Sequence, residues 1–281
     1  MGSQDATDLQ TWVGRSIEAV DIVTPRLVES FRATLSPHAA VTASDATPLG
    51  LHWCLAPDIA EAQKLGPDGH PPKGGFLPPV PLPRRMWAAS DLTFNGAIAS
   101  GEQVRRRSTI IKVEEKQGRS GSLFFVTVRH EISTGAEPMI KEDQTIVYRE
   151  AAAPGGSPAL ASAALPPAPH ERSVDVDSVL LFRYSALTFN GHRIHYDLPY
   201  ATEVEHYRGL VIHGPLQATL LLNFAAMIGD RPPRGFSFRG NNPATGAQRL
   251  VLRGTPGEDG ALALEVQGAD GNVTMKATAQ W

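Results

Sequence analysis

Asn190, His192 and His195 fall within six positions, and His213-Gly214-Pro215 follows farther along the same stretch of this 281-residue chain. These are the residue types that move protons and hold developing negative charge. A neutral imidazole exchanges protons near neutrality because its ordinary pKa is about 6.5. Gly214-Pro215 precedes an apolar run, Leu216 to Ile228, that reads as a buried helix. The start of such a helix offers unpaired backbone N–H groups and the positive end of the helix dipole, which suits an oxygen that becomes anionic. A lone histidine is most often structural. Two within four residues, with a third ahead of Gly-Pro, favour a functional role for His195 in an active site. His192 and His213 are candidates for substrate contact or structural support. The His-x-x-His spacing lacks a third ligand at firm spacing, so no metal is expected.

The elements that must position these groups follow from periodicity. Val179 to Thr188 reads as a strand, and Phe236 to Arg239, Gln248 to Arg253, Ala261 to Gln267 and Val273 to Trp281 read as further strands. In the first half, Pro25 to Leu35 has helical spacing, with Thr24 as N-cap and Pro25 at the first helical position. Gln103 to Glu115, Leu123 to Ser133 and Met139 to Arg149 alternate apolar and polar residues and predict an antiparallel sheet. Gly66 to Arg85 is too rich in Pro and Gly to be regular, and a loop that long is usually functional.

Glu150 to His170 is rich in Ala and Pro and nearly free of charge, which is linker composition. The expected organisation is residues 1–149, a linker at 150–170, and residues 171–281 carrying the active site. The halves echo each other. Phe94-Asn95-Gly96 leads to Gly101, as Phe238-Arg239-Gly240 leads to Gly246, and Gly135 and Gly271 each precede a Met-containing strand pattern. The echo predicts a duplicated sheet.

A net charge of −3 gives no broad basic field and argues against nucleic acid as a partner. Small acidic ligands need only a local arginine cluster, for which Arg84, Arg85, Arg183 and Arg193 are the candidates. The single cysteine, Cys54, excludes an intrachain disulfide, reads as a buried inert thiol and suits a reducing compartment. The N-terminus has no basic start followed by an apolar region, and no apolar run reaches the roughly 20 residues a membrane helix needs. A cytoplasmic protein without membrane association is expected.

The segment FNGHRIHYD, with Tyr207-x-Gly209-Leu210-Val211-Ile212-His213-Gly214-Pro215-Leu216, resembles the MaoC-like hydratases and dehydratases. Within them it is similar to the branch of 3-methylfumaryl-CoA and itaconyl-CoA hydratases. Gly74 to Trp87 and Val113 to Lys116 carry the same likeness in the first half. The resemblance implies an α+β double hot-dog, with antiparallel sheets each wrapped around a central helix. It also implies a cofactor-free hydratase that adds water to a branched C5 dicarboxylyl-CoA to give citramalyl-CoA, and a homodimer. Family members carry an Asp, then four residues, then a His. Here those positions are Asn190 and His195, so the carboxylate is replaced by an amide that cannot act as a base and is expected to position water. Gly214 N–H is the implied donor to the thioester oxygen. The competing expectations are a 3-hydroxyacyl-thioester dehydratase of fatty-acid synthesis, a thioesterase, and a non-catalytic acyl-CoA-binding protein.

Overall fold

The computed structural model describes residues 9–41, 46–118, 121–150 and 166–281. In chain order its strands are β1 (Ser16–Ile22), β2 (Arg84–Phe94), β3 (Gln103–Gly118), β4 (Gly121–Ser133), β5 (Pro138–Arg149), β6 (His170–Val176), β7 (Gly235–Gly240), β8 (Gln248–Pro256), β9 (Leu262–Gln267) and β10 (Val273–Gln280). The helices are α1 (Pro25–Leu35), α2 (Ser178–Leu187) and α3 (Gly214–Gly229). Residues 151–165, most of the stretch read as a linker, lie outside the described residues.

All ten strands join one antiparallel sheet in the order β1-β3-β4-β5-β2-β7-β10-β9-β8-β6. Read inward from either edge the succession is the same, so each strand of the first half has a counterpart in the second. The two halves meet where β2 pairs with β7, Ser90 opposite Phe238 and Leu92 opposite Phe236. The echo in the sequence falls on corresponding places: Gly101 and Gly246, at φ +91° and +77°, precede β3 and β8. Glycine adopts this left-handed conformation without the strain a Cβ would bring.

Helix α3 is the centre of the fold. Leu216 through Ala226 are all buried, and α3 packs against β7 to β10 and against β2. Its three buried polar side chains are satisfied, as buried polar groups must be. Gln217 accepts from Thr274 Oγ1 at 2.6 Å, Thr219 bonds the Tyr184 hydroxyl at 3.1 Å, and Asn223 donates to Leu49 O at 3.0 Å and accepts from Ala40 N at 2.9 Å. The Asn223 bonds tie the first half to the helix of the second. Among the described residues the first half has no helix of comparable length. Its 3₁₀ turn Leu51–Cys54 joins the same core, and α1 packs against α2. Cys54 is buried there, and burial pushes its thiol up to about 12, which keeps it inert.

Helix α1 forms as expected: Thr24 Oγ1 accepts from Leu27 N, Pro25 opens the helix, and Val28, Phe31 and Leu35 are buried. The strand expected at Val179 to Thr188 is instead α2. Asp177 caps it by accepting from Leu180 N at 2.8 Å, and Leu181, Tyr184 and Ser185 bury at helical spacing. A ten-residue apolar run does not separate helix from strand by period, and the capping Asp177 decides it. Strands β1, β2 and β6 were not anticipated. Arg84 and Arg85 therefore open a strand rather than end a loop.

The rest of the Pro-rich segment is irregular, as its composition requires. Val80 and Leu82 from it bury against Trp12, Ile110, Phe124, Val126 and Tyr148, closing a second core over β3 to β5. The Lys73 ammonium holds the segment by donating to Val80 O and Leu82 O at 2.9 and 2.7 Å.

Candidate active site

The chain leaves α2 through Phe189, whose φ of +51° turns it sharply, and Asn190 N bonds back to Ser185 O at 2.9 Å. Asn190 Oδ1 then accepts from His192 N at 3.0 Å. This is the local turn that Asn favours. The Asn190 amide oxygen thus shapes the backbone. A 3₁₀ turn, Arg193–His195, follows and delivers His195 to the interior.

His195 is held from two sides. Its Nδ1 donates to Val211 O at 2.7 Å, while Val211 N donates to Ile194 O at 2.9 Å. A carbonyl accepts only, so Nδ1 carries the hydrogen and Nε2 keeps its lone pair. The ring stacks on His213 with centroids 3.7 Å apart and planes 18° from parallel. His213 is the N-cap of α3, fully buried, with Nε2 2.8 Å from Ser185 Oγ of α2 and Nδ1 without a partner. Burial, then the neighbouring histidines, lowers the His195 pKa to about 3, and the same causes lower His192 to about 3. Both are neutral at pH 7.

The structure adds residues that the sequence did not single out. The loop at 66–70 lies on the turn at 190–193: Arg193 N donates to Asp68 O at 2.9 Å, Arg193 Nη1 donates to Pro67 O at 2.9 Å, and Gly69 crosses directly over Gly191 O. Gly69 has φ +86°, and a side chain there would collide with the Gly191 backbone. This crossing seats His70 against His192, ring centroids 4.1 Å apart, and His192 meets His195 edge-on at 5.5 Å. Asp68 Oδ2 accepts from His70 Nδ1 at 2.9 Å, and its Oδ1 accepts from His70 N at 3.0 Å. Burial raises the proton affinity of the Asp68 carboxyl, but the His70 bonds outweigh it and hold the group well below the usual carboxylate range. An Asp-x-His in a long Gly/Pro-rich loop was the available signal. Its partner lies more than 100 residues away in sequence.

Asp68, His70 and His192 offer three donor atoms within 4.8 Å of one another, the one such trio among the described residues. Both carboxylate oxygens of Asp68 are already taken up by His70. That arrangement orients an imidazole, as a carboxylate does for a catalytic histidine, rather than presenting three free ligands.

The four candidate arginines have different fates. Arg84 is buried and pairs with Glu205 Oε2 at 2.9 Å. Arg193 makes a two-pronged pair with Asp197 Oδ2, 2.9 and 2.7 Å, and covers the Tyr200 ring. Both are committed within the chain. Arg183 is exposed on α2. Arg85 alone of the four faces the histidines while pairing with no carboxylate among the described residues. It donates to Pro71 O at 3.2 Å, its charge lowers the proton affinity of His70 and His192, and it sits across the strand pair from Tyr148. The Tyr148 hydroxyl is buried, which raises its pKa, and the neighbouring Arg85 guanidinium works against that rise. A guanidinium that no carboxylate neutralises is equipped for an anionic oxygen.

Gly214 is the first residue of α3, and a Cβ on it would find Trp87 O at 3.8 Å and Met275 Cε at 4.0 Å. Its N–H belongs to the unpaired first turn, as a donor to a carbonyl oxygen requires.

Comparison with known proteins shows the family and the fold. The family described as hydroxyacyl-thioester dehydratase type 2 matches residues 50–246. The mesaconyl-C(4)-CoA hydratase of Chloroflexus aurantiacus is 42% identical over 279 residues, 98% of each chain. Among solved structures, a MaoC-like dehydratase from Phytophthora capsici superposes with a TM-score of 0.70 at 12% identity, covering 99% of this chain and 98% of that one. A Mycobacterium tuberculosis protein described as a double hotdog superposes with a TM-score of 0.55 at 12% identity, covering 95% of both. The fold is an α+β double hot-dog.

Proposed function

Because the chain belongs to the hydroxyacyl-thioester dehydratase type 2 family and is an enzyme of the CoA-thioester hydratase/dehydratase kind, we propose that it adds water to a short branched dicarboxylyl-CoA. The substrate of choice is 3-methylfumaryl-CoA, that is mesaconyl-C(4)-CoA, and the product is citramalyl-CoA. Identity of 42% along the whole chain to a hydratase of that name supports the substrate. The observation that carries the reading is Arg85, a cation that pairs with no carboxylate among the described residues and acts on His70 and His192. A substrate with a second carboxylate uses it, and an unsubstituted fatty acyl chain does not.

In this reaction the thioester carbonyl lies at the start of α3, where Gly214 N–H and the helix dipole draw charge onto its oxygen. That polarises the conjugated double bond. Water then attacks C3, an enolate forms, and a proton returns to C2 as the carbonyl is restored. His195, neutral and with Nε2 unprotonated, accepts a hydrogen bond from the attacking water and fixes its direction. Asn190 holds the turn that carries His192 and His195. Itaconyl-CoA gives the same product but must first shift its terminal double bond into conjugation, so it is the second candidate substrate. No cofactor enters this scheme.

The test is to incubate the purified protein with 3-methylfumaryl-CoA, itaconyl-CoA, crotonyl-CoA and a longer enoyl-CoA and to follow each by mass spectrometry. A gain of one water on the C5 dicarboxylyl esters is the expected result. Preference for crotonyl or longer chains would move the enzyme to fatty-acid metabolism, free CoA would make it a thioesterase, and binding without turnover would leave it a non-catalytic acyl-CoA binder.

A further inference from the structure

In the second half Asn190 turns its oxygen onto His192 N, and among the described residues no carboxylate of that half forms an ion pair with a histidine of the site. Without a counter-charge, His195 is a poor proton acceptor. Its Nδ1 is bonded to a neutral carbonyl and its ring lies between two other imidazoles. A proton placed on it creates a buried cation with no partner, which is costly. The loop from the first half brings the missing group: Asp68, ionised, bonded to His70 Nδ1 at 2.9 Å. Among the described residues this is the one histidine of the site paired with a carboxylate.

We infer that Asp68–His70 is the acid–base pair of the reaction, supplied to the second half's site by the first half's loop, with His195 orienting the water that His70 deprotonates. This rests on the hydratase reading above. Because Nδ1–H is engaged by Asp68, His70 Nε2 holds the lone pair. In the forward step the water O–H breaks, its proton passes to His70 Nε2, and its oxygen bonds C3. The C2=C3 electron pair moves into the enolate held at Gly214. The proton then leaves Nε2 for C2 as the carbonyl re-forms. One water is added and the enzyme is unchanged. Asp68 steadies the transient imidazolium, as a triad aspartate does for its histidine. With 22% and 29% of their side chains exposed, His70 and Asp68 are more open to solvent than His195, at 7%.

The charges around His70 also join specificity to catalysis. Asp68 and Glu205 favour its protonated form, whereas Arg85 and the neighbouring His192 do not, and burial outweighs them all. A substrate carboxylate on Arg85 removes one opposing charge and makes His70 the stronger base.

The decisive measurement is the pH dependence of kcat and kcat/KM with 3-methylfumaryl-CoA for the wild type, Asp68→Asn and His70→Gln, each checked for folding by circular dichroism. The inference expects both variants to fold and to lose roughly 10² to 10⁴ in kcat, the usual worth of general acid–base catalysis, with KM changed less than about threefold. In Asp68→Asn the acid limb should move to lower pH, and in His70→Gln that limb should vanish. His70→Gln turnover within about fivefold of wild type, with the limb in place, would return the proton to His195. Loss of wild-type activity on chelation, restored by Zn²⁺, would make Asp68, His70 and His192 a metal site instead. A wild type that hydrates no enoyl-CoA would end the hydratase reading and this inference together, which separates that failure from a failure of the dyad alone.

Discussion

His195 and His213 stack face to face at 3.7 Å, and only one of the two has its outer ring nitrogen free for chemistry. His213 spends Nε2 on Ser185 and is fully buried, whereas His195 spends Nδ1 on Val211 O and keeps Nε2. The stack ties the His195 ring, through His213 and Ser185, to α2.

His195→Ala removes the water-orienting nitrogen and the Val211 bond together. Turnover should fall by about 10² to 10⁴. A buried side chain of this size leaves a cavity, so a loss of about 2 to 4 kcal/mol in urea unfolding accompanies it without loss of the far-ultraviolet spectrum. Near-normal turnover in a folded variant would remove His195 from the site.

Gly214→Ala separates fold from function at the helix start. The added methyl meets only ordinary contacts, Trp87 O at 3.8 Å and Met275 Cε at 4.0 Å, and alanine suits a helix better than glycine by about 1 kcal/mol. The melting temperature should hold or rise. kcat should nevertheless drop, about tenfold or more, because the methyl stands where the thioester carbonyl approaches. Unchanged kcat would place the carbonyl elsewhere.

Arg85→Gln discriminates between substrates. Losing a charge-assisted bond of about 1.5 to 3 kcal/mol corresponds to roughly 10- to 100-fold in kcat/KM on a dicarboxylyl-CoA. Crotonyl-CoA, with no second carboxylate, should be hydrated no worse than by the wild type. Arg84→Gln should instead lower stability, since it leaves Glu205 without its buried partner. Equal losses on both substrates in Arg85→Gln would dismiss the carboxylate site.

Acid and base act on stability with opposite signs here. His52, His192 and His195 are lowered to about 3 and His130 to about 4, all chiefly by burial. The unfolded chain therefore binds more protons below about pH 6.5, and stability falls as pH drops through that range. Glu142 is raised to about 7 by burial, even with Trp53 Nε1 donating to it at 3.1 Å. The folded chain binds its proton more tightly, so its contribution is fully present below about pH 4.5 and is lost as pH rises through 7. Removing that opposing slope, Glu142→Gln should lose stability more steeply than wild type between pH 6.5 and 5 in urea titrations. A slope equal to wild type would show that Glu142 is ionised throughout.

Local pattern in the sequence carried most of the fold. Thr24-Pro25 set the start of α1, the apolar run set α3, and alternation set β3 to β5 because strand side chains face opposite sides in turn. Where local pattern was weak it misled or was silent. Val179 to Thr188 is apolar without a clear period, and β2 follows a Pro-rich segment that conceals its start.

The sequence by itself determined α1, α3, most of the strands, the duplication and the histidine motif, since caps, turns and periodicity act over a few residues. Only tertiary structure decided which groups meet. The Gly69–Gly191 crossing brings Asp68 and His70 to His192, and the fixed partners Glu205 and Asp197 take Arg84 and Arg193 out of use while leaving Arg85 free. Such meetings depend on the path of the backbone between distant segments, and no spacing within either segment encodes it.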